Sequence, residues 1–287
     1  MTKTIKTILI TGSSTGFGYE MVSDFLQVGY KVIATLRNLE SRKYIYEDLL
    51  IKYPKTLIVK ELDVTKASDR ESMKNYIIAN FNSSLDVLVN NAGFGSFGAL
   101  EDTTESQIRQ QMEVNFFAPT LMIKEFLPFL RKAQGRVINI SSIMGRYSSP
   151  LAAVYSASKY AIEGLTEGLK YELAPHGVQI TTIQPGGHRT SFIKSMKWGE
   201  KSHDPNSPYI KQTNGFQKML NKMLDRKKAP QATNISALAL TLIKKKKMPR
   251  RVVVGNDAKF ISILQKVLPE RLYHFLLIKG HKAIFGK

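Results

Sequence analysis

The sequence contains no cysteine, a single tryptophan and few acidic side chains among its 287 residues. The missing cysteines exclude disulfide bonds and thiolate metal sites, and they fit a reducing cytosol. No apolar run reaches the roughly 18 residues that a spanning helix needs, and residues 1–6 are too short and polar for a signal peptide. We therefore expect a cytoplasmic protein with no membrane-spanning helix.

Positive charge greatly exceeds negative charge. Lysine and arginine number 42 against 23 aspartates and glutamates, which gives a formal net charge of +19. Such an excess suits an anionic partner, which could be nucleic acid, an acidic membrane surface or a phosphorylated cofactor. No nucleic-acid-binding motif accompanies the charge, so we expect no nucleic-acid partner.

Strand-like and helix-like segments alternate along the chain. Seven short apolar runs rich in β-branched residues predict buried strands, and helical patterns lie between them. The predicted strands are residues 4–11, 31–36, 56–62, 85–89, 135–141, 178–184 and 251–254. This alternation predicts an α/β protein with a doubly wound, mostly parallel seven-stranded sheet and helices on both faces.

Three regions depart from that simple alternation. A long helical pattern over 105–131 contains Pro119, which we expect to kink the helix. Residues 188–230 are polar with scattered aromatic and methionine side chains, and we interpret them as an irregular insertion over the substrate. Residues 258–287 form a basic, amphipathic C-terminal extension of helical pattern, so that 1–257 is predicted as a single domain.

The stretch Tyr155-Ser156-Ala157-Ser158-Lys159 lies at the start of a helical pattern. Tyr155 and Lys159 are four positions apart, so their side chains share one helix face. A free phenol has a pKa of about 10, and a nearby ammonium lowers it. A tyrosine tuned in this way can exchange a proton with an alcohol or carbonyl oxygen. A solvated pair on a helix surface is the alternative for this stretch alone.

A glycine-rich turn follows the first predicted strand. Gly12, Gly16 and Gly18 would let the backbone approach a pyrophosphate, and the N-terminus of the next helix offers unpaired N–H donors. The spacing Gly-x3-Gly-x-Gly differs from the common Gly-x-Gly-x-x-Gly, and a simple turn is the alternative. We interpret the turn as a dinucleotide-binding site.

The end of the second strand indicates which dinucleotide binds. An acidic residue there would bind the ribose 2′-hydroxyl of NAD, but this strand runs into Arg37. Arg37 could instead bind the 2′-phosphate of NADP, together with Ser13 or Ser14, and a solvated arginine is the alternative. We therefore expect NADP (NADPH) as the cofactor.

Further candidate residues follow the third, fourth and fifth strands, where open parallel sheets bind ligands. Asp63 and Val64 could contact an adenine edge, although Asp63 could equally cap a turn or a helix. The segment Asn90-Asn91-Ala92-Gly93 could let a nucleotide lie against the strand end, or form a simple turn. Ser142 could donate a hydrogen bond to a substrate oxygen beside Tyr155.

Two other kinds of chemistry are not indicated. No Gly-x-Ser-x-Gly turn surrounds Ser142, and the five histidines lie late in the chain, which disfavours Ser-His-Asp catalysis. The histidines show no metal-ligand spacing, so we expect no metal site.

Taken together, these motifs resemble the classical short-chain dehydrogenase/reductase family, which implies a Rossmann fold. The similarity runs in order from the first strand to about Thr190, two thirds of the chain. The residues that carry it are 11–18, Asn90-Asn91-Ala92-Gly93, Asn115, Ser142, Tyr155 to Lys159 and Pro185-Gly186. The run Ala34-Thr35-Leu36-Arg37 is similar to the NADP-preferring branch of 17β-hydroxysteroid and retinol-type dehydrogenases.

This resemblance implies roles for particular residues. Tyr155 would be the catalytic acid-base, Lys159 its partner and a ribose ligand, and Ser142 the donor to the substrate oxygen. Asn115, which its own context places on a helix surface, would hold a water that links Lys159 to solvent. The nicotinamide side would be lined by Pro185, Gly186, His188 and Thr190.

Two residues depart from the family pattern. Phe17 replaces the usual isoleucine or leucine of the glycine turn. His188 stands where a small aliphatic residue usually meets the carboxamide through its backbone. Neither change removes a catalytic group, so we expect activity with a reshaped pocket.

Aromatic and methionine side chains surround the expected substrate pocket. The candidates are Phe94, Met144, Tyr147 and Phe192, with Phe97, Met196 and Trp198 near them. Apolar pockets with few polar groups suit lipophilic alcohols or ketones. The resemblance makes steroids, retinoids and long-chain carbonyl compounds the leading substrates of an NADP(H)-dependent alcohol–carbonyl interconversion. A non-catalytic nucleotide-binding or membrane-surface-binding protein on the same fold is the alternative.

The resemblance also implies a homodimer that pairs through the long central helices. The tail from Leu272 onward could lie in a membrane interface with its apolar face down, or pack on the protein or a partner subunit. We therefore expect a cytoplasmic protein, with peripheral membrane contact through the tail as an open alternative.

Overall fold

The structure is a computed structural model that describes residues 6–188, 192, 195–224 and 231–285. The described strands are β1 (Thr7–Ile10), β2 (Lys31–Leu36), β3 (Leu57–Glu61), β4 (Val87–Asn90), β5 (Ser96–Phe97), β6 (Arg136–Ile140), β7 (Gln179–Pro185), β8 (Lys197–Trp198) and β9 (Arg251–Val254). The described helices are α1 (Gly16–Gln27), α2 (Leu39–Arg42), α3 (Glu47–Lys52), α4 (Ala67–Asn80), α5 (Glu105–Met112), α6 (Ala118–Ala133), α7 (Ala153–Leu173), α8 (Ile210–Leu224), α9 (Thr233–Lys244), α10 (Asn256–Val267) and α11 (Glu270–Phe285).

Seven of these strands form one sheet in the order β3-β2-β1-β4-β6-β7-β9. Every neighbouring pair in it is parallel. The chain winds outward from β1 to β3 on one side and from β4 to β9 on the other, so the direction of winding reverses between β1 and β4. At such a switch point the carboxyl ends of the strands open a crevice in which ligands bind. The predicted doubly wound seven-stranded sheet is confirmed.

Each face of the sheet carries its own apolar core. Ile8 and Ile10 of β1 pack on the face covered by α1 and α9, whereas Leu9 packs on the face covered by α4 and α6. All three side chains are fully buried. Burial on both faces explains why the strands are largely apolar, although β7 carries the buried Thr181 and Thr182 in its interior. The predicted polar site residues lie at or just after the carboxyl ends of the strands. Those strand ends therefore carry the candidate site.

The long central helix contains a π-helical turn where a proline kink was predicted. The turn covers Glu113–Phe117, between α5 and α6. Pro119 has no N–H to donate to the carbonyl of Asn115, so the regular hydrogen-bond pattern cannot continue through this turn. Asn115 lies in the turn with only 3% of its surface exposed, which corrects the surface position that its own sequence context suggested.

The interpretation of 188–230 as irregular is wrong for much of its described part. β8 pairs in parallel with β5 to form a separate two-stranded sheet. Helix α8 places Phe216 and Leu220 in a third apolar cluster, which also contains Tyr155. Phe216 and Leu220 are four residues apart and so share one face of α8, a spacing that the lysines and amides around them obscure in the sequence.

The C-terminal region is helical, as predicted, and consists of α10 and α11. Ala258 and Ser262 of α10 and Tyr273 of α11 are buried. Helix α11 packs against α8. None of the described helices is long and apolar enough to cross a membrane.

Candidate active site

A cavity of about 1970 Å³ lies at the carboxyl ends of the parallel strands. A site for one small ligand usually has roughly 300–1,000 Å³, so this cavity has room for a dinucleotide and a second molecule. The predicted site residues that line it are Gly12, Ser14, Gly16, Phe17, Arg37, Asp63, Val64, Ala92, Gly93, Phe94, Ser142, Met144, Tyr147, Tyr155, Lys159, Pro185, Gly186, His188 and Phe192. The lining does not include Ser13, Gly18, Asn90 or Asn115, and Thr190 lies outside the described residues.

The turn after β1 has the shape that a pyrophosphate needs. Gly12 and Gly16 have φ of +61° and +58°, a left-handed backbone that glycine adopts without strain. A Cβ at Gly12 would lie 2.7 Å from Cα of Ala92, so a larger residue would push this part of the wall apart. The first turn of α1 follows at once, and its backbone N–H groups are free to bind an anion.

Asn91, which the sequence analysis did not single out, holds this turn in place. Its side-chain Nδ2 donates to the carbonyls of Thr11 at 3.0 Å and Gly12 at 2.8 Å. The Thr11 hydroxyl accepts in return from the N–H groups of Asn91 and Ala92. These bonds join the ends of β1 and β4 at the switch point. The signal available in the sequence was the position of Asn91 inside the Asn-Asn-Ala-Gly motif.

Two predicted cofactor ligands turn their side chains into the protein. Ser13 is fully buried, and its hydroxyl donates to the carbonyl of Thr35 at 3.0 Å. Asn90 donates to the side chain of Asn139 at 2.8 Å, and Asn139 donates to Thr166. The side chains of Ser13 and Asn90 therefore brace the sheet and do not face the cavity. Gly18 packs against Asn91, since a Cβ there would lie 2.6 Å from the Asn91 amide nitrogen.

Basic side chains border the far end of the cavity. Arg37 follows β2 and is exposed, and Arg42 at the end of α2 lines the same wall. Asp63, after β3, also lines this end, but its Oδ1 accepts from the N–H and the hydroxyl of Thr65 at 3.1 and 2.8 Å. Asp63 thus has the turn-capping role that the sequence left open, while Arg37 and Arg42 present positive charge where a phosphate could sit.

Tyr155 is buried beside Ser142 and Lys159. Burial raises the pKa of Tyr155 to about 12, partly opposed by a hydrogen bond from the Ser142 hydroxyl. The predicted lowering of this pKa by Lys159 is therefore wrong for this structure. The main reason is desolvation of the phenol by burial. Lys159 Nζ, 5.8 Å from the centre of the Tyr155 ring, donates instead to the carbonyl of Ile140 at 3.0 Å.

Lys159 is itself strongly affected by its surroundings. Only 7% of its surface is exposed, and burial lowers the pKa of its ammonium to about 8. The carboxylate of Glu163, one turn further along α7, partly opposes that shift. Glu163 is buried as well and accepts a hydrogen bond from the Thr182 hydroxyl at 3.1 Å. A lysine in this position can gain charge when an anionic ligand enters the cavity.

Asn115 lies behind the catalytic candidates and links three elements. Its Nδ2 donates to the carbonyl of Phe94 at 2.9 Å and to the hydroxyl of Ser158 at 3.1 Å. Ser158 in turn donates to the carbonyl of Tyr155 at 2.7 Å. A Cβ added at Gly93 would lie 3.1 Å from Asn115 Oδ1 and 3.9 Å from Lys159 Nζ, so both side chains border this glycine.

The turn after β7 is fixed by the start of α10. Asp257 Oδ2 accepts from the N–H of Gly187 at 2.7 Å, and a Cβ at Gly186 would overlap the same carboxylate. His188 follows with 9% of its surface exposed. Asp257 has no sequence signal, because it lies 70 residues from the turn that it holds.

The wall beside the Tyr155 phenol is apolar. The Tyr155 ring lies 5.4 Å from that of Phe97 and 5.9 Å from that of Phe192, measured between centroids. Phe97 stacks on Phe216 of α8 at 5.5 Å, and Leu220 belongs to the same cluster. In the described part of the chain, no group of three or more histidine, aspartate or glutamate side chains is placed to hold a metal ion.

The fold, the glycine turn and the buried tyrosine–lysine pair together define a Rossmann-fold protein of the dehydrogenase type. A family model described as short chain dehydrogenase matches residues 6–201. The chain therefore belongs to the short-chain dehydrogenase family, a family of oxidoreductases. The resemblance to its 17β-hydroxysteroid and retinol-type branch stays a prediction.

Named relatives cover nearly the whole chain. The 3-ketodihydrosphingosine reductase of Bacteroides thetaiotaomicron is 32% identical over 272 residues, which are 94% of this chain and 96% of that protein. The NADPH-dependent 3-dehydrocapnine reductase of Ornithobacterium rhinotracheale is 30% identical over 286 residues, with 96% and 97% coverage. The crystal structure of a short-chain dehydrogenase from Streptomyces avermitilis superposes with a TM-score of 0.80 at 30% identity, over 96% of this chain and 99% of that one.

Proposed function

We propose that the protein is an NADPH-dependent reductase of lipophilic ketones, with long-chain 3-keto compounds as its substrate class. The observation that carries the proposal is the apolar wall formed by Phe97, Phe192 and Phe216 beside the Tyr155 phenol. The names of both relatives describe reduction of a 3-keto or 3-dehydro compound, and one name states NADPH dependence. Steroids and retinoids are the other substrate classes that such a wall could accept.

The cofactor assignment is supported by the fit of the cavity to a phosphorylated dinucleotide. The glycine turn leaves room for a pyrophosphate at the start of α1, and Arg37 and Arg42 border the end where a 2′-phosphate would lie. Arginine suits this role because its planar guanidinium binds phosphate through two parallel hydrogen bonds. Pro185, Gly186 and His188 would contact the nicotinamide end.

When bound, NADPH supplies the hydride that reduces the carbonyl carbon. Tyr155 would give its proton to the carbonyl oxygen, so that the products are an alcohol and NADP⁺. A pKa of about 12 keeps this phenol protonated near neutral pH, which suits a proton donor in the direction of reduction. Ser142 would orient the substrate oxygen, and Lys159 would bind the ribose. Asn115 would position α7 through Ser158.

The proposal is tested by following NADPH oxidation with a panel of carbonyl compounds. The panel contains 3-ketodihydrosphingosine, ethyl acetoacetate as a short soluble ketone, a 17-ketosteroid and all-trans-retinal. We expect the highest kcat/KM with the long-chain ketone. Tyr155→Phe should abolish turnover while NADPH still binds, because the substitution removes only the proton donor. A faster reaction with the steroid or with retinal would overturn the substrate class.

The matched control is Tyr147→Phe, which removes the hydroxyl of another tyrosine that lines the cavity. It should retain most of the activity, since the proposed proton transfer does not use that hydroxyl. Cofactor binding without turnover of any compound in the panel would favour the alternative, a non-catalytic nucleotide-binding protein.

The chain is also proposed to form a homodimer through its central helices. Phe117, at the end of the π turn, and Tyr160 and Tyr171 of α7 are exposed aromatic side chains on that part of the molecule. Exposed aromatic residues are enriched in protein interfaces. Light scattering after size-exclusion chromatography measures the mass directly, and a monomer at working concentration would contradict the proposal.

A further inference from the structure

Helix α10 exposes a row of large apolar side chains. Phe260, Ile263 and Val267 are 62%, 58% and 72% exposed, and their spacing of i, i+3 and i+7 places them on one face of the helix. Single exposed apolar residues are common on protein surfaces, but three in a row on one helix face indicate a site of contact.

Helix α11 also exposes large apolar side chains. It packs against α8, and Tyr273 is buried, with the half-buried Leu277 one turn later on the same face. The opposite side carries Leu272, Phe275 and Ile278, each about half exposed. Among the side chains described in this helix, one narrow stripe is used for packing and most of the apolar ones are exposed.

Cationic side chains lie among these exposed apolar ones. The exposed bases of the two helices are Lys259, Lys266, Arg271, Lys279 and Lys282. Lys279 Nζ lies 5.7 Å from the ring of Phe275, so a cation and an aromatic ring share one patch. The described acids of the two helices are Asp257, which accepts from the Gly187 N–H, and Glu270, which lies 3.8 Å from His274. The net charge of the pair of helices is clearly positive.

The same two helices border the cavity. Lys259 and Ile261 of α10 and His281 of α11 line its wall. The two helices that carry the exposed apolar side chains therefore also form part of the wall of the cavity that contains Tyr155. A surface that met the outside of α10 and α11 would lie against helices that border this cavity.

We propose that α10 and α11 dock this protein on an anionic lipid bilayer, with the cavity opening toward the membrane surface. Apolar side chains would enter the boundary between headgroups and acyl chains, while the lysine and arginine side chains bind anionic headgroups. A second copy of the chain fits this surface less well, because it would bring the same five cations face to face. Docking on a bilayer does not depend on the proposed function. The further idea that the bilayer delivers a lipid substrate to the cavity rests on the proposed function.

The test measures binding of the full chain to sedimented vesicles, without substrate or cofactor. Vesicles of phosphatidylcholine with phosphatidylglycerol should bind the protein, and vesicles of phosphatidylcholine alone should bind it much more weakly. The triple variant Phe260→Ser, Ile263→Ser and Phe275→Ser should lose about tenfold or more in partitioning, since burial of large apolar side chains drives insertion. The double variant Lys266→Gln and Lys279→Gln should lose about fivefold for each lysine on anionic vesicles.

The control is a protein that loses equally exposed apolar residues elsewhere. Ile51 of α3 and Ile78 of α4 are 81% and 51% exposed, and Ile51→Ser with Ile78→Ser should leave vesicle binding unchanged. If the control and the triple variant lose vesicle binding equally, the proposed docking surface is wrong. It is also wrong if vesicles bind the protein equally with and without phosphatidylglycerol. A concentration-dependent doubling of mass that the triple variant abolishes would identify a second copy as the occupant and also overturn it.

Enzyme assays separate this inference from the proposed function. The triple variant should reduce ethyl acetoacetate at the rate of the native protein, because none of its three positions lines the cavity. Its KM for 3-ketodihydrosphingosine presented in anionic vesicles should rise, with kcat for the soluble ketone unchanged. If the protein reduces ketones but does not bind vesicles, the proposed function stands and docking is rejected. If it binds vesicles but reduces none of the compounds, docking stands and the proposed function is rejected.

Discussion

The phenyl ring of Phe17 meets the imidazole of His188 edge to face, with ring centroids 5.5 Å apart and ring planes at 82°. Phe17 lies in the first turn of α1, which follows β1, and His188 lies in the turn after β7; both line the cavity. β4 and β6 separate those two strands in the sheet. The contact therefore joins two sides of the crevice, and it is made by the two residues that depart from the family pattern.

The imidazole is held in one tautomer. Its Nδ1 lies 3.0 Å from the carbonyl of Gly186, and since a carbonyl only accepts, Nδ1 carries the proton. Nε2 is buried and has no hydrogen-bond partner among the described residues. The contact with the Gly186 carbonyl thus helps to fix the orientation in which the His188 ring meets Phe17.

We predict that Phe17→Leu and His188→Ala each weaken NADPH binding by up to about tenfold, because the pair, worth about 0.5–1.5 kcal/mol beyond its area, joins two sides of the crevice before the cofactor binds. Fluorescence titration of NADPH into the two single variants and the double variant measures this. The double variant should lose less NADPH binding free energy than the two single variants lose in sum, since both substitutions break the same contact. Strictly additive losses would show that the two rings act independently.

The buried ammonium of Lys159 predicts a dependence of stability on pH. Its pKa is about 8 in the folded protein and 10.5 for an ordinary solvated lysine, so between these values the unfolded chain binds more protons than the folded one. This group therefore stabilises the fold above pH 10.5 and loses that contribution as the pH falls through about 8. Lys159→Met removes the ammonium, so its advantage over the native protein should grow as the pH falls, reaching on the order of 3 kcal/mol near neutral pH.

Thermal unfolding of both proteins across this pH range measures the difference. From alkaline to neutral pH, the Tm of the native protein should fall relative to the Tm of Lys159→Met. Lys170→Met, at a partly buried lysine of the same helix whose pKa burial also lowers, serves as the comparison and should show a smaller trend, since that shift is not a large one. A difference between native protein and Lys159→Met that does not change with pH would be evidence against a buried ammonium.

Arg37 is predicted to select the phosphorylated cofactor. Arg37→Ala should weaken NADPH binding by about 10- to 100-fold, since a hydrogen bond to a charged group is worth about 1.5–3 kcal/mol, and should leave NADH binding nearly unchanged. Lys43→Ala, next to Arg42 but outside the cavity lining, controls for a general loss of positive charge. Equal weakening of both cofactors would exclude a contact between Arg37 and the phosphate.

Gly18 is predicted to be intolerant of any side chain, although it lies inside a helix. A Cβ there would lie 2.6 Å from Asn91 Nδ2 and 2.7 Å from Cα of Ser13, so Gly18→Ala should lower Tm and weaken cofactor binding together. Gly280→Ala in α11 meets open space and should leave Tm unchanged or raise it, because alanine favours helix over glycine by about 1 kcal/mol. If both variants behave alike, the packing of Gly18 on Asn91 is not what fixes the turn.

The sequence was most informative where structure depends on local chemistry. Strand runs, glycine turns and the helical spacing of Tyr155 and Lys159 are properties of neighbouring residues. They predicted the sheet, and most of the site residues predicted from the sequence line the cavity. It was least informative for α8, whose buried positions Phe216 and Leu220 stand among lysines and amides. It also gave no signal for Asp257, which acts on a turn 70 residues away.

By itself, the sequence determined the parallel sheet, the placing of the motifs at strand ends and the arginine after β2, because alternating periodicity and turn residues specify each of these locally. Only the tertiary structure decided which polar groups face the cavity. Packing turned Ser13 and Asn90 inward, buried Asn115 in a π turn and brought Phe17 to His188 across two intervening strands. It also decided the direction in which the pKa of Tyr155 moves, because desolvation depends on the complete set of surrounding side chains.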